Sequence, residues 1–421
     1  MTTDLAAELK AGEDLASSNL NEAVKKLQQL VLADSINDVE AIKLKELAVQ
    51  KLCDLLVKSQ DATGLRDLLS KLREFFNVIP KAKTAKIVRT IIDSIAKIPG
   101  STQLQEDVCK EQVEWARSEK RTFLRQRIEL RLASLSLDTK HYTDSLAIIG
   151  TLLTEVKKLD DKLLLVDIHL VESKVHHALR NMPKARAALT SARTAANSIY
   201  VPLQLQAEID CQSGILHAEE KDYKTAYSYF FESFEQFNTL DDLKAVLVLK
   251  YMLLSKIMLN QADDVPSIIS SKAGLKYTGI EADAMRSVAK AYHDRSLQEF
   301  QATLGQYKVQ LVDDAVINHH LTSLYETLLE QNLVKLIKPY SRVEIAYVAE
   351  LIALPVQTVE FKLSQMILDK KFEGTLDQGA GCLEVFDAPT VEKVYPTALE
   401  VVESMGRVVD TLFTRSHKII V

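Results

Sequence analysis

SRVEIAYVAELIALPVQTVEFKLSQMILDKKFEGTLDQGAGCLEV, residues 341–385, changes its apolar period along its length, and that change decides the fold. Ser341 and Glu344 have the spacing of a capping box, which opens a helix. Ile345, Val348, Ala349 and Ile352 then share one helical face. Pro355 ends this segment, because it lacks an amide proton and disfavours helix in the residue before it. A second helix follows, with Val356, Val359, Leu363, Met366 and Ile367 on one side. Beyond it the period falls to two. Phe372, Gly374 and Leu376 alternate with Glu373, Thr375 and Asp377. Gln378-Gly379-Ala380-Gly381 supplies a turn, and Leu383 and Val385 oppose Glu384 on a second strand. Helix, turn, helix and β-hairpin together predict a winged helix.

Downstream lies one more helix. Val394, Ala398, Val401, Met405, Val408 and Leu412 are spaced 4, 3, 4, 3 and 4 residues apart, a heptad seam. Tyr395, Leu399, Val402, Val409 and Phe413 run beside it, so the apolar face is broad and needs partner helices. Pro396 is tolerated only in the first turn.

Upstream, to about residue 338, nearly every segment has helical periodicity. Leu164, Ile168, Val171, Val175 and Ala178 form one stripe. Ala185, Ala188, Leu189, Ala192, Ala196 and Ile199 form the next. Each such helix has one apolar side that a neighbour must cover. Short polar breaks separate them at 138–141, 180–181, 219–222 and 260–263. The second helix of each pair is expected to begin near Tyr142, Met182, Tyr223 and Asp264, at intervals of 40, 41 and 41 residues. Three positions later come the small residues Ser145, Ala185, Ala226 and Ser267, which allow close helix approach. Two-helix repeats of this length describe an α-solenoid.

Composition narrows the function classes. Twelve glycines and nine prolines in 421 residues are few, which suits many helices with short connections. A net charge of −6 mildly repels nucleic acid. Cys53, Cys109, Cys211 and Cys382 lack metal or redox spacing and suit free thiols in a reducing compartment. The start, MTTDLAAELKAGEDLA, has acids where a signal peptide needs a basic, then apolar, run. No run of about 18 apolar residues predicts a membrane span. These features predict a soluble intracellular protein.

No catalytic constellation in the sequence is complete. Gly274 and Gly279 have phosphate-loop spacing, but Ile280 and Glu281 replace the Lys and Ser/Thr that such a loop needs. His169, Glu172 and His176 share a helical face without the i, i+4 His pair of zinc proteases. The adjacent pairs His176-His177 and His319-His320 diverge by about 100° on a helix. No catalytic residue, cofactor site, metal site or small-molecule substrate is therefore predicted. Arg117, Arg121 and Arg125 recur every four residues, a strip on one face if the helix is continuous. It reads either as a solvated face balanced by Glu114, Glu119 and Glu129, or as a basic docking strip for an acidic partner. The would-be recognition helix sets Lys362, Lys370 and Lys371 against Glu360 and Asp369, too weak a balance for DNA. The hairpin residues Phe372, Leu383 and Val385 are expected to serve pairing with a neighbour's edge strand.

Solenoid, winged helix and terminal helix in this order resemble the layout of PCI proteins, subunits of the proteasome lid, the signalosome and an initiation factor. EWARSEKRTFLRQ (114–126), MPKARAALTSARTAANSIY (182–200), KDYKTAYSYFFESFE (221–235), LKYMLLSKIMLN (249–260) and KLSQMILDKKFEGTLDQG (362–379) narrow the likeness. They resemble the proteasome lid family called non-ATPase regulatory subunit 11. Ala380 stands where that family's wing turn is expected to be acidic, and the SHKIIV end is more apolar than expected.

The resemblance implies an all-α fold with a small β-hairpin: a right-handed α-solenoid of TPR-like helix pairs, a winged-helix PCI module and a C-terminal helix. The expected boundaries are 1–220 for the solenoid, 221–388 for the PCI domain and 389–421 for the bundle helix. Within the PCI domain, 221–338 is helical and 339–388 is the winged helix. The implied role is a scaffold, not an enzyme, in cytoplasm and nucleus. Its implied partners are other lid subunits, the ATPase base and the core-particle α-ring, with no nucleic acid or membrane. The alternatives are a signalosome or initiation-factor scaffold, and a winged-helix nucleic-acid-binding regulator.

Overall fold

A computed structural model describes residues 20–32, 39–73, 76, 79–277, 279–312, 314–352, 354–386 and 394–420. The chain divides into two compact units, Met1–Leu259 and Asn260–Val421. The division falls later than 220/221, because the helices at 223–239 and 244–258 pack onto the pair before them.

The first unit is helical throughout its described length. Its helices are α1 Leu20–Leu32, α2 Val39–Lys58, α3 Ala62–Lys71, α4 Lys81–Ala96, α5 Thr102–Ser118 and α6 Thr122–Asp138. They continue as α7 Tyr142–Leu159, α8 Lys162–Ala178, α9 Met182–Asn197, α10 Leu203–Glu219, α11 Tyr223–Thr239 and α12 Lys244–Met258. The expected starts at Tyr142, Met182 and Tyr223 coincide with the observed ones.

The turns between paired helices share one construction. Lys120, Lys140, Arg180 and Lys221 all have positive φ, between 52° and 65°. The residue after each donates its amide proton to a carbonyl five positions back: His141 N to Ser136 O at 2.8 Å, Asn181 N to His176 O at 2.9 Å, Asp222 N to His217 O at 3.0 Å. This Schellman-type closure satisfies carbonyls that a helix end leaves orphaned. Asn181 and Asp222 then cap the following helix, accepting from Lys184 N and Thr225 N. One short polar stretch thus ends one helix and starts the next.

Small residues meet where paired helices cross. Ser145, Ala185 and Ala226 are completely buried. Ser145 Oγ donates to Ala133 O at 2.9 Å, and Ser173 Oγ donates to Ala185 O at 2.9 Å. In the third pair Gly214 fills the corresponding place; a Cβ there would sit 2.6 Å from the Phe230 ring. Ser267 departs from this pattern. It is exposed and donates to Asp264 O of its own helix, which is only 7 residues long.

The second unit begins with α13 Asp264–Ser270, α14 Lys272–Lys276, α15 Ile280–His293, α16 Leu297–Gln306, α17 Lys308–Val312 and α18 Ala315–Ile337. Along α18, Ile317, Leu321, Leu324, Leu328, Leu333 and Ile337 are buried. The winged helix follows: β1 Arg342–Glu344, α19 Ile345–Ile352, α20 Val356–Leu368, β2 Gly374–Asp377 and β3 Cys382–Val385. A terminal helix, α21 Val394–Ile420, completes the unit.

The winged helix corrects the sequence reading at its first residues. Ser341 and Glu344 do not form a capping box. Arg342–Glu344 is a strand, and Ser341 O accepts the Val385 amide at 2.9 Å. The sheet has three antiparallel strands in the order β1-β3-β2, with Val343 opposite Leu383 and Leu376 opposite Leu383 on the other side. Backbone groups pairing across forty residues outweigh a local cap signal here. Val356, expected in the apolar face, is exposed at the first turn of α20.

No single described helix is long and apolar enough to cross a membrane.

Candidate interaction surfaces

The tail presents the broadest uncovered apolar face. From Val394 to Ser416 every residue of α21 is exposed. Val394, Ala398, Val401, Met405, Val408 and Leu412 fall along one side, and Val401, the least exposed of its large apolar residues, is still 53% accessible. Tyr395, Leu399, Val402, Val409 and Phe413 widen the face. Within this one chain, nothing among the described residues covers it. Burying a single such side chain is worth about 1.5–3 kcal/mol, so leaving the whole face in water is costly.

The hairpin residues are placed differently from the expectation. β3 is the central strand, so both of its edges are already occupied. Leu383 is buried, and Phe372 and Val385 are half-buried. None lies on a free strand edge. The unpaired edges belong to β1 and β2. The sequence reading missed β1 and therefore mistook the middle strand for an edge. It also missed the exposed apolar side chains of the two helices: Tyr347 and Leu351 on α19, Phe361 and Leu368 on α20. Phe361 and Leu368 are seven residues apart, a two-turn spacing that could have marked an outward stripe.

The basic strip does not exist as one helical face. α5 ends at Ser118, Lys120 turns the chain with φ 52°, and α6 starts at Thr122. Arg117 is exposed and reaches Glu129 at 3.5 Å. Arg121 lies over the Trp115 ring, 4.8 Å from its centroid, and donates to Phe76 O at 3.2 Å. Arg125 is largely covered and pairs with Glu155. Two of the three arginines therefore hold the fold itself.

The recognition-helix position is equally informative. Lys362 is buried, with Nζ 3.1 Å from Glu330 of α18. Glu330 also holds Lys371. Burial raises the Glu330 carboxyl, but the two lysines outweigh this and hold it below the usual carboxylate range. The outward stripe of α20, Gln357, Phe361, Ser364 and Leu368, carries no charge. Two of the three cations counted toward nucleic acid, Lys362 and Lys371, are thus paired with Glu330.

Reactive groups are quiet. Burial pushes the thiols of Cys53, Cys109 and Cys211 up to about 12, which leaves little thiolate. His169 Nδ1 sits 2.8 Å from Glu172, an ordinary pair within one helix. Among the described residues, no three metal-ligating side chains converge.

Three family models match successive parts of the chain. Residues 5–139 match the model of the 26S proteasome regulatory subunit RPN6 N-terminal domain. Residues 304–387 match the PCI domain, and residues 393–416 match the RPN6 C-terminal helix domain. The chain is 62% identical to the 26S proteasome non-ATPase regulatory subunit 11 homolog of Arabidopsis thaliana over 402 residues, 96% of each chain. It is 48% identical to the probable 26S proteasome regulatory subunit rpn6 of Schizosaccharomyces pombe, again over 96% of each. Against the 26S proteasome regulatory subunit RPN6 of Saccharomyces cerevisiae it is 48% identical, covering 88% of this chain and 87% of that one. With an N-terminal domain, a PCI domain and a C-terminal helix matched in order, and relatives 48% and 62% identical over 96% of its length, the chain belongs to the RPN6, or non-ATPase regulatory subunit 11, family of the 26S proteasome.

Proposed function

We propose that this chain is a non-catalytic scaffold subunit of the 26S proteasome lid. It contributes shape and adhesive surface to the degradation of ubiquitin-tagged proteins, not bond-making chemistry. The single observation that carries this reading is α21: a heptad seam beside a second apolar row, exposed along Val394–Ser416. Such a face is stable only when partner helices cover it. Other lid subunits are the natural occupants. The helical repeats are the surface we assign to the ATPase base and the core-particle α-ring. Cytoplasm and nucleus are the compartments this role requires.

Supporting the winged helix as an assembly module is the uncharged outward stripe of α20, with Lys362 committed to Glu330. DNA affinity rests on neutralising several phosphates, and this helix offers few free cations. The free edges of β1 and β2, with Phe361 and Leu368, are the surfaces we assign to neighbouring PCI modules.

The test is Val401→Asp with Met405→Asp. Aspartate on the closed seam loses several kcal/mol per unpaired charge. Lid particles are expected to be lost on a native gel, while the isolated variant keeps its helical circular dichroism and melting temperature. Normal lid assembly by this variant overturns the role given to the tail. Mass spectrometry of co-purifying chains separates the lid from a signalosome or initiation-factor assembly.

A further inference from the structure

We propose that, away from lid partners, two copies of this chain pair their α21 helices antiparallel along the seam, and that two such pairs close into a four-helix bundle. The inference rests on the reading that partner helices cover α21, and it names the occupant in the free chain.

The seam is complementary to itself. Its spacings, 4, 3, 4, 3 and 4, read the same in both directions. Two antiparallel copies therefore set Val394 against Leu412, Ala398 against Val408 and Val401 against Met405. Every layer then joins a smaller side chain to a larger one, as even packing requires. A parallel pair stacks Ala398 on Ala398 and Leu412 on Leu412, which leaves a gap in one layer and crowds another. A two-fold interface needs one surface that matches itself, and the antiparallel seam supplies it.

The second row selects four helices over two. Tyr395, Leu399, Val402 and Val409 each stand one residue after a seam residue, so this row is the seam rotated by about 100°. A helix in a square bundle touches two neighbours about 90° apart, whereas a helix in a simple pair touches one. Antiparallel copies joined through this row set Leu399 against Val409 and Val402 against Gly406. A Cβ on Gly406 would meet nothing within 4 Å, so that place is open to Val402 of the other copy.

Charge does not oppose the pairing. Thr397, Ser404 and Thr411 flank the seam, while Glu400, Glu403, Arg407 and Asp410 lie outside both rows. Glu403 is matched by Arg407 of its own helix at 2.7 Å. Like charges beside a heptad seam are a usual bar to self-pairing, and this flank carries none.

The experiment is analytical ultracentrifugation of the full chain at about 10 μM. The expected mass is four times the 47.2 kDa of one chain. Val402→Asp with Val409→Asp removes the second row and is expected to halve that mass. Adding Val401→Asp and Met405→Asp is expected to leave single chains. All four positions are exposed in the single chain, so these variants retain its fold. A native mass of one or two chains overturns the proposal, as does a fourfold mass kept by the quadruple variant. A monomeric native chain whose Val401→Asp, Met405→Asp variant still loses lid particles overturns self-pairing and leaves the tail's place in the lid standing.

Discussion

Ser145 donates its hydroxyl proton to the carbonyl of Ala133 across a helix crossing, and one repeat later the roles reverse, with Ser173 donating to Ala185. Ser173 stands where Ala133 stood, and Ala185 where Ser145 stood, each displaced by 40 residues. The crossing needs two small residues and one hydroxyl, but the hydroxyl can come from either helix. Ser145→Ala is expected to cost about 0.5–1.5 kcal/mol. Adding Ala133→Ser to that variant is expected to recover at least half of the loss, because it recreates the arrangement of the next repeat. Ser145→Leu overpacks the crossing and costs about 1–3 kcal/mol or more. Urea denaturation midpoints at constant m decide all three.

Arg121 and Arg117 separate structural from surface roles. Arg121→Ala loses the stack on Trp115 and the bond to Phe76 O, and is expected to destabilise the first unit by about 1–3 kcal/mol. Arg117→Ala loses an exposed cation while the covered Glu129 keeps Arg125 at 3.8 Å, and a change below about 1 kcal/mol is expected. Equal losses from both variants, measured by thermal unfolding, contradict this assignment.

Asp167 predicts an unusual pH response. Its carboxyl sits near 6 in the folded chain, above the ordinary value of 3.8. Between these values the native state holds more protons than the unfolded state, so stability falls as pH rises from about 4 to 6. The penalty is complete above 6 and absent below 3.8. Asp167→Asn is therefore expected to stabilise the first unit at pH 7 by about 1–3 kcal/mol and to flatten this part of the profile. Unfolding measured at pH 4.5 and pH 7 in both proteins checks the difference; a larger gain at pH 4.5 contradicts it.

Glu330 ties α20 to α18 through Lys362 and Lys371. Glu330→Gln leaves the buried Lys362 ammonium only Glu326, 3.9 Å away, and a loss of about 1–3 kcal/mol is expected. Lys371→Ala removes the more exposed partner and costs less, about 0–1 kcal/mol. Because the folded carboxyl is held low, its contribution is present above the ordinary carboxylate value and fades as pH falls through the folded one. Amide exchange in α20 reports the loosening directly.

The sequence alone determined four of the helix starts in the repeats. Tyr142, Met182, Tyr223 and Asp264 are all observed starts, because turn closure and capping are set by residues within a few positions of one another. It also determined the tail seam, which depends only on the spacing of apolar residues along one helix. Tertiary structure decided what pairs across distance. Arg121 finds Phe76 forty-five positions away, Lys362 finds Glu330, and Arg342–Glu344 becomes a strand by pairing with β3. Spacing along the chain cannot reveal such partners, since each depends on which surfaces the packed helices bring together. For the same reason, the sequence made a continuous strip of three arginines that the fold divides between a solvent-facing side chain and two internal ones.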